Sequence, residues 1–450
     1  MTPERPAAWP APTASGPLQA RVRLPGSKSL TNRILLLSAL SGEETLVLGA
    51  LESDDARAMR SALEAFGARF TPSAGPDGVA ALHVSPIPPA EPGARRVIDA
   101  HQAGTVMRFI PVVAALLGGQ TDLLVHESAR ARPMGPLFAA LRGIGAEIVS
   151  LDDGDPATDH LPARITAPQA RTEPLRITVD STASSQFLSA LLLGACAQAA
   201  PVVVSHAGGR IPSRAHIRMT LESLREFGAE VEELAEDSWR VTPRVRSPRP
   251  MAVVEPDLSN AGPFLAAALV AGGTVQVPGW PLATTQIGDR WREILPRLGA
   301  SVDLAHDDAA GAGTGTLTVA GGPRILPAEI DDAAELAPVL AALMALADGE
   351  SRLTGIAHLR GHETNRLAAL VEEIEALGAH AEETPDGLVI RGTSAPRPAL
   401  HKAWHDHRLA TAAAVWGLTA PGTELDDIAA TAKTMPDFPQ MWAAMLGQTR

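Results

Sequence analysis

The stretch Leu24-Pro25-Gly26-Ser27-Lys28-Ser29-Leu30-Thr31-Asn32-Arg33 places hydroxyls, one ammonium and one guanidinium ahead of an apolar run, Ile34 to Leu40. A Pro-Gly turn delivering these groups to a helix start would add free backbone N–H donors and the positive end of the helix dipole. Such a place suits an anion, above all a phosphate. With a helix beginning near Ser29, Arg33 lies one turn on and shares its face. The Gly-x-x-x-x-Gly-Lys-Ser/Thr pattern of nucleotide-binding loops is absent. Alone, the stretch reads equally well as a helix cap with two surface cations.

Further charged motifs lie along the chain. His358-Leu359-Arg360-Gly361-His362-Glu363-Thr364-Asn365-Arg366 sets a carboxylate close to two imidazoles and a guanidinium, a crowding that can tune proton transfer. No third ligand with metal-site spacing stands beside His358 and His362, so no metal is expected. Trp404-His405-Asp406-His407-Arg408 reads as a capped helix start, with a metal pair as the alternative. Thr431-Ala432-Lys433-Thr434 puts a lysine before the final helix, and Arg130 and Arg132 precede another. Asp180 to Gln186 supplies hydroxyls and an amide, while Asp54-Asp55 reads as a cap and structural pairing.

The elements that must hold these groups repeat, with a period of roughly 75 residues. Five segments close on a Gly-Ala phrase, at Gly67, Gly145, Gly228, Gly299 and Gly378, each expected to end a helix in the left-handed conformation and lead into a strand. Six apolar helices open behind polar first turns: SKSLTNRILLLSAL, AGTVMRFIPVVAALL, SSQFLSALLLGA, LSNAGPFLAAALVA, AELAPVLAALMALA and DHRLATAAAVWGL. Helices apolar nearly all round belong inside a domain. Six units suggest two domains of three, with the polar helix starts sharing one end of each and, if those ends face one another, lining a cleft. Capping explains the serines and asparagines there. It does not explain Lys28, Arg33, Arg108 and Arg408, because cations at helix N-termini oppose the dipole. A bound anion removes that conflict.

Composition bounds the partners. The 450 residues carry a net charge of −13, no tyrosine and 3% aromatics, which argues against a nucleic-acid footprint and leaves an anionic small molecule bound by a local basic cluster. The single cysteine, Cys196, lies in an apolar run and reads as a buried structural thiol. Residues 1–17 are rich in Pro and Ala and read as a loose tail without a signal core. Apolar runs break before membrane-spanning length, so a cytoplasmic location is expected, and with no exposed apolar stripe a monomer is the default.

With PGSKSLTNR, AGTVMR, ARPMGPL, ASSQFL, RGHETNRL, DHRLATA and TAKTMPDF in this order, the chain resembles the 5-enolpyruvylshikimate-3-phosphate synthase family (3-phosphoshikimate 1-carboxyvinyltransferases) from Leu24 to Trp442. The resemblance implies the α/β fold of the enolpyruvyl transferases: a two-domain inside-out α/β barrel with six βαβαββ-type repeats, three per domain. It implies a discontinuous first domain, 1–25 and 255–450, and a second domain, 26–254. The implied reaction moves the enolpyruvyl group of phosphoenolpyruvate onto the 5-hydroxyl of shikimate 3-phosphate, by addition, a tetrahedral intermediate and elimination of phosphate. It is a step of the shikimate pathway to chorismate and aromatic amino acids, with no metal or organic cofactor.

By the same resemblance, Lys28, Ser29, Arg33, Ser184, Ser185, Gln186, Ser213, Glu335 and His362 serve shikimate 3-phosphate. Lys28, Gly104, Arg132, Gln186, Arg366, Arg408 and Lys433 serve phosphoenolpyruvate. Glu335, Glu363 and Lys28 are the implied catalytic groups: Glu335 accepts the 5-hydroxyl proton, Glu363 serves the methylene carbon and Lys28 stabilises developing charge. The chain departs from the family pattern at several points. Glu335 stands for a common aspartate, His362 for a lysine, Asn365 for an aspartate and Phe109 for a proline, while His101-Gln102 occupies a segment where Asn is often found. UDP-N-acetylglucosamine enolpyruvyl transferases, the same-fold alternative, carry a reactive loop cysteine and lack SKSxTNR. A non-catalytic binder of phosphorylated metabolites would not need both Glu335 and Glu363. The acidic charge counts against an RNA-end enzyme on a related repeat fold.

Overall fold

The structure, a computed structural model, describes residues 8–89, 93–169, 173–243, 245–248, 251–306 and 313–448. The chain divides into two compact units, Gly26–Val254 and the pair of segments Met1–Pro25 and Glu255–Arg450.

One motif recurs in both. In the fullest copies two parallel strands flank a buried helix, and an amphipathic helix then leads into an antiparallel hairpin. Leu175–Val179 and Val202–His206 pair in parallel across the helix Ser185–Gly194. The helix Arg214–Glu226 follows, and then the hairpin Glu230–Ala235 with Ser238–Thr242. The four strands lie in the order first, second, fourth, third. The strands starting at Arg95 and at Glu329 open sheets of the same order.

Two other sheets borrow their first strand from a distant part of the chain. Ala252–Val253 completes the sheet begun by Thr45–Leu48, and Leu18–Arg21 completes the one containing Gly273–Pro281. That second pairing ties the chain start to the unit formed mainly by residues 255–450.

In the sixth sheet Leu400–His401 and Glu424–Leu425 pair in parallel, and Trp9–Pro10 adds a third, antiparallel strand. Residues 8–17 are therefore not a loose tail. Trp9 pairs with Leu425, and the Ala11 N–H donates to the Thr423 carbonyl at 2.9 Å. The reason is topological: among the described residues this repeat has no closing hairpin, and an edge position tolerates the prolines that suggested disorder. The remainder of that expected tail, residues 1–7, lies outside the described residues.

The cores are built on the apolar helices Lys28–Leu40, Gly104–Leu117 and Ser185–Gly194 in one unit, and Gly262–Ala271, Ala337–Met344 and His407–Gly417 in the other. In the latter unit all three pack on one another. Among the described residues the sheets stay separate and do not close into a strand barrel. Gly67, Gly145, Gly228, Gly299 and Gly378 all take positive φ, between 80° and 103°, and turn each amphipathic helix into its hairpin as the Gly-Ala phrases predict. Cys196 is buried, and loss of hydration pushes its thiol up to about 12, as suits an inert core group. Among the described residues no helix is long and apolar enough to cross a membrane.

Candidate active site

In the unit Gly26–Val254 three central helices bring their N-termini together. Ser27 caps the first through the Leu30 N–H, and Ser184 caps the third through the Gln186 N–H. Asn32 Nδ2 donates to Thr105 Oγ1 at 2.5 Å, joining the first helix to the start of the second. A β-carbon on Gly104 would lie 3.2 Å from Arg108 Nη1, 3.8 Å from Gln186 Oε1 and 3.9 Å from Arg132 Nη1. Gly104, Gln186 and Arg132 thus share one place, together with Arg108. Arg132 is held by the Gln102 carbonyl at 2.8 Å, and its Nε and the Gln186 Oε1 are buried without a hydrogen-bond partner among the described residues.

Lys28 starts its helix 3.5 Å from the buried Asp55 carboxylate. Asp55 is thereby a pairing residue, as its sequence context suggested, although the helix cap beside it is Ser53. Arg33 lies one turn after Ser29 and is 1% exposed. Its guanidinium donates to the Ser29 carbonyl at 2.9 Å, Thr220 Oγ1 at 2.9 Å and the His216 carbonyl at 3.3 Å, with its carbon 5.5 Å from the Phe109 ring centre. Thr220 and His216 belong to the helix that Ser213 heads from a left-handed φ of 49°. Ser29, Arg33 and Ser213 are therefore tied to one another, and Ser185 is buried at the third helix start.

The unit completed by Glu255–Arg450 gathers a second set. Glu363 bridges two cations, with Lys433 Nζ at 2.7 Å from one oxygen and Arg366 Nη2 at 2.7 Å from the other. Arg366 also grips Asp406 through Nε at 2.7 Å and Nη2 at 3.2 Å, and its Nη1 lies 3.1 Å from His362 Nδ1. Asp406 caps the helix His407–Gly417 by accepting the Arg408 N–H at 2.8 Å, which fixes Arg408 in its first turn. The helix begun by Arg366 is capped by Asn365, so the residue replacing the common aspartate has a capping role. Glu335 sits in a single 3-10 turn before the helix Ala337–Met344, and Ser259 Oγ donates to it at 3.4 Å. His358 and His362 stand with ring centres 5.5 Å apart. Among the described residues no group of three His, Cys, Asp or Glu side chains could hold a metal ion.

The charges shape one another. Burial alone would raise the Glu363 carboxyl; Lys433 and then Arg366 reverse this and hold it well below the usual carboxylate range. Burial would lower the Arg366 guanidinium, but Asp406 and Glu363 keep it firmly charged. His362 is an exposed residue whose Nδ1 lies against the Arg366 guanidinium. Lost hydration there, and then Arg366, hold it well below the ordinary imidazole value.

Residues 12–442 match the family model of EPSP synthase (3-phosphoshikimate 1-carboxyvinyltransferase). The chain belongs to this family. It is 48% identical to a 3-phosphoshikimate 1-carboxyvinyltransferase of Kocuria rhizophila, over 98% of this chain and 96% of that one. Among solved structures it resembles an EPSP synthase from Acinetobacter baumannii, with TM-score 0.73, 22% identity and 98% of each chain covered. It also resembles the enolpyruvyl transferase NikO from Streptomyces tendae, with TM-score 0.70, 17% identity and 96% of each covered. At those identities the structures support the enolpyruvyl-transferase fold.

Sequence reasoning missed the groups that brace the site. Thr220 and His216 steady Arg33, and Ser259 reaches Glu335. Glu373, seven residues after Arg366, has a traceable signal: a carboxylate on the same helix face as Arg366 at an apolar position.

Proposed function

We propose that this chain transfers the enolpyruvyl group of phosphoenolpyruvate to the 5-hydroxyl of shikimate 3-phosphate, releasing phosphate, as a step toward chorismate. The observation that carries the chemistry is the Lys433–Glu363–Arg366 bridge: two cations suited to a phosphate or carboxylate, held by one carboxylate able to move a proton. Family membership supplies the substrates.

In this reading phosphoenolpyruvate draws on Arg366, Arg408, Lys433, Lys28, Gly104, Arg132 and Gln186. Shikimate 3-phosphate draws on Lys28, Ser29, Ser184, Ser185, Gln186, Ser213, Glu335 and His362. Arg33 serves it by charge and by ordering the Ser29 carbonyl, since three of its N–H groups already bind protein. Glu335 accepts the 5-hydroxyl proton as that oxygen attacks C2 of phosphoenolpyruvate, while C3 takes up a proton. Loss of a C3 proton and cleavage of the bond from C2 to the phosphate oxygen then complete the exchange.

Glu363 fits the C3 proton transfers for an electrostatic reason. An incoming anion competes for Lys433 and Arg366, and a buried carboxylate deprived of its cations rises toward protonation. The site thus turns its resting counter-ion into an acid when substrate arrives. The reading calls for no metal or organic cofactor. It is tested by phosphate release from phosphoenolpyruvate with mass detection of the product. Release only with shikimate 3-phosphate present, and a product heavier by the enolpyruvyl group, is expected. No release in a folded protein would overturn it.

A further inference from the structure

Glu373 is 3% exposed and lies two turns along the helix Arg366–Leu377 from the site arginine. Its carboxylate takes three donors. Oε2 accepts from His401 Nδ1 at 2.8 Å and the Lys402 N–H at 3.2 Å, and Oε1 accepts from Trp404 Nε1 at 2.8 Å. All three donors belong to the segment that runs into Asp406.

That segment is strained. Trp404 and His405 are consecutive non-glycine residues at φ 56° and 53°. Left-handed backbone of this kind persists only where its surroundings over-determine it. Here the Ala403 N–H is fixed by Asp426 Oδ1 at 2.7 Å, the Asp406 N–H returns to the Ala403 carbonyl at 2.8 Å, and Glu373 pins the residues between. The turn delivers Asp406 to the Arg366 guanidinium and, by capping, sets the first turn that carries Arg408.

We propose that Glu373 is a positioning residue for the anion site: with Trp404 it holds the strained 401–405 turn against the Arg366 helix, and so registers Asp406, Arg366 and Arg408. One helix grips the loop at two points, Arg366 on Asp406 and Glu373 on His401 and Trp404. Glu373 itself touches no substrate in this assignment, which rests on the function proposed above.

A glutamine keeps the volume of Glu373 but turns one acceptor into a donor, so it cannot satisfy all three partners. Glu373→Gln should raise KM for phosphoenolpyruvate at least about tenfold, the worth of one hydrogen bond to a charged group. KM for shikimate 3-phosphate should stay within about twofold on the same scale. Trp404→Phe, which keeps the carboxylate and loses one donor, should act in the same direction and serves if Glu373→Gln does not fold. Adding His405→Gly to Glu373→Gln should recover much of the lost affinity, since glycine adopts φ near 53° without a Cβ clash. Calorimetric binding of phosphoenolpyruvate in the presence of shikimate 3-phosphate reads the same quantity without turnover. A lowered melting temperature with KM unchanged for both substrates would overturn the assignment and leave Glu373 a merely structural group. Absence of turnover in the unsubstituted protein would instead overturn the proposed function.

Discussion

Replacing Glu363 by glutamine separates its two roles. In the unliganded protein its carboxylate neutralises Lys433 and Arg366 at 2.7 Å each, so any incoming anion meets a negative charge already in place. Two unit charges about 4 Å apart interact by about 4 kcal/mol at an effective dielectric of 20. Glutamine can accept from only one of the two cations and turns an NH2 group toward the other, and the cations themselves screen the repulsion. Roughly a third of that figure should be released, which corresponds to about tenfold tighter phosphoenolpyruvate binding. Turnover should fall roughly 10²-fold or more, because the proton-transferring group is gone. Stability shifts as well. The folded protein holds the Glu363 carboxyl below its unfolded value, so its contribution is fully present above the ordinary glutamate value of about 4.3 and is lost as pH falls from there through the folded value. The variant should be less stable at neutral pH and show a shallower acid limb. Calorimetry with shikimate 3-phosphate present measures the binding, and phosphate release measures the rate. Weaker phosphoenolpyruvate binding together with a near-normal rate would refute the counter-ion reasoning.

Lys28→Met should fold and lose turnover. The melting temperature should reflect only about 1–2 kcal/mol, because Lys28 is partly exposed and its Asp55 partner lies 3.5 Å away; near-normal turnover in the folded variant would remove Lys28 from the site. Gly299→Ala places a β-carbon 2.8 Å from the Arg324 carbonyl at φ 98°, so it should cost at least roughly 1–2 kcal/mol in a denaturant titration without changing KM.

The central helices, the left-handed glycines and the six-fold repeat were legible because each is written in local pattern: an apolar run behind a polar turn, and a Gly-Ala phrase before a strand. The order of the motifs identified the family for the same reason. What could not be read is what depends on distant pairing. Trp9–Pro10 look like disorder until the sixth repeat is seen to show no hairpin among the described residues, which leaves an edge for this strand to pair with. Thr220, His216 and Ser259 brace site residues across 76 to 187 positions of sequence, and their residue types are ordinary on amphipathic helices or in turns. The strain at Trp404 and His405 leaves no mark in composition, since neither is a glycine or asparagine.

The two carboxylates on Arg366 look interchangeable in sequence, but their surroundings assign them opposite tasks. Asp406 is wholly buried, meets the Arg366 fork on both oxygens and accepts a backbone N–H as a helix cap. A group so committed cannot exchange a proton with a ligand without unpairing a buried guanidinium. Glu363 keeps 14% of its side chain exposed and is held by Lys433 and Arg366 side chains that an anion can take from it. Asp406→Asn should therefore behave unlike Glu363→Gln. Loss of the buried partner should cost about 3–5 kcal/mol of stability and should weaken phosphoenolpyruvate binding, because Arg366 and Arg408 lose their registration. The protein that remains folded and saturated should keep more of its rate than the Glu363 variant does. A rate loss in Asp406→Asn equal to that of Glu363→Gln at saturation, with stability unchanged, would mean that the buried carboxylate also moves protons, and the division drawn from burial would fail.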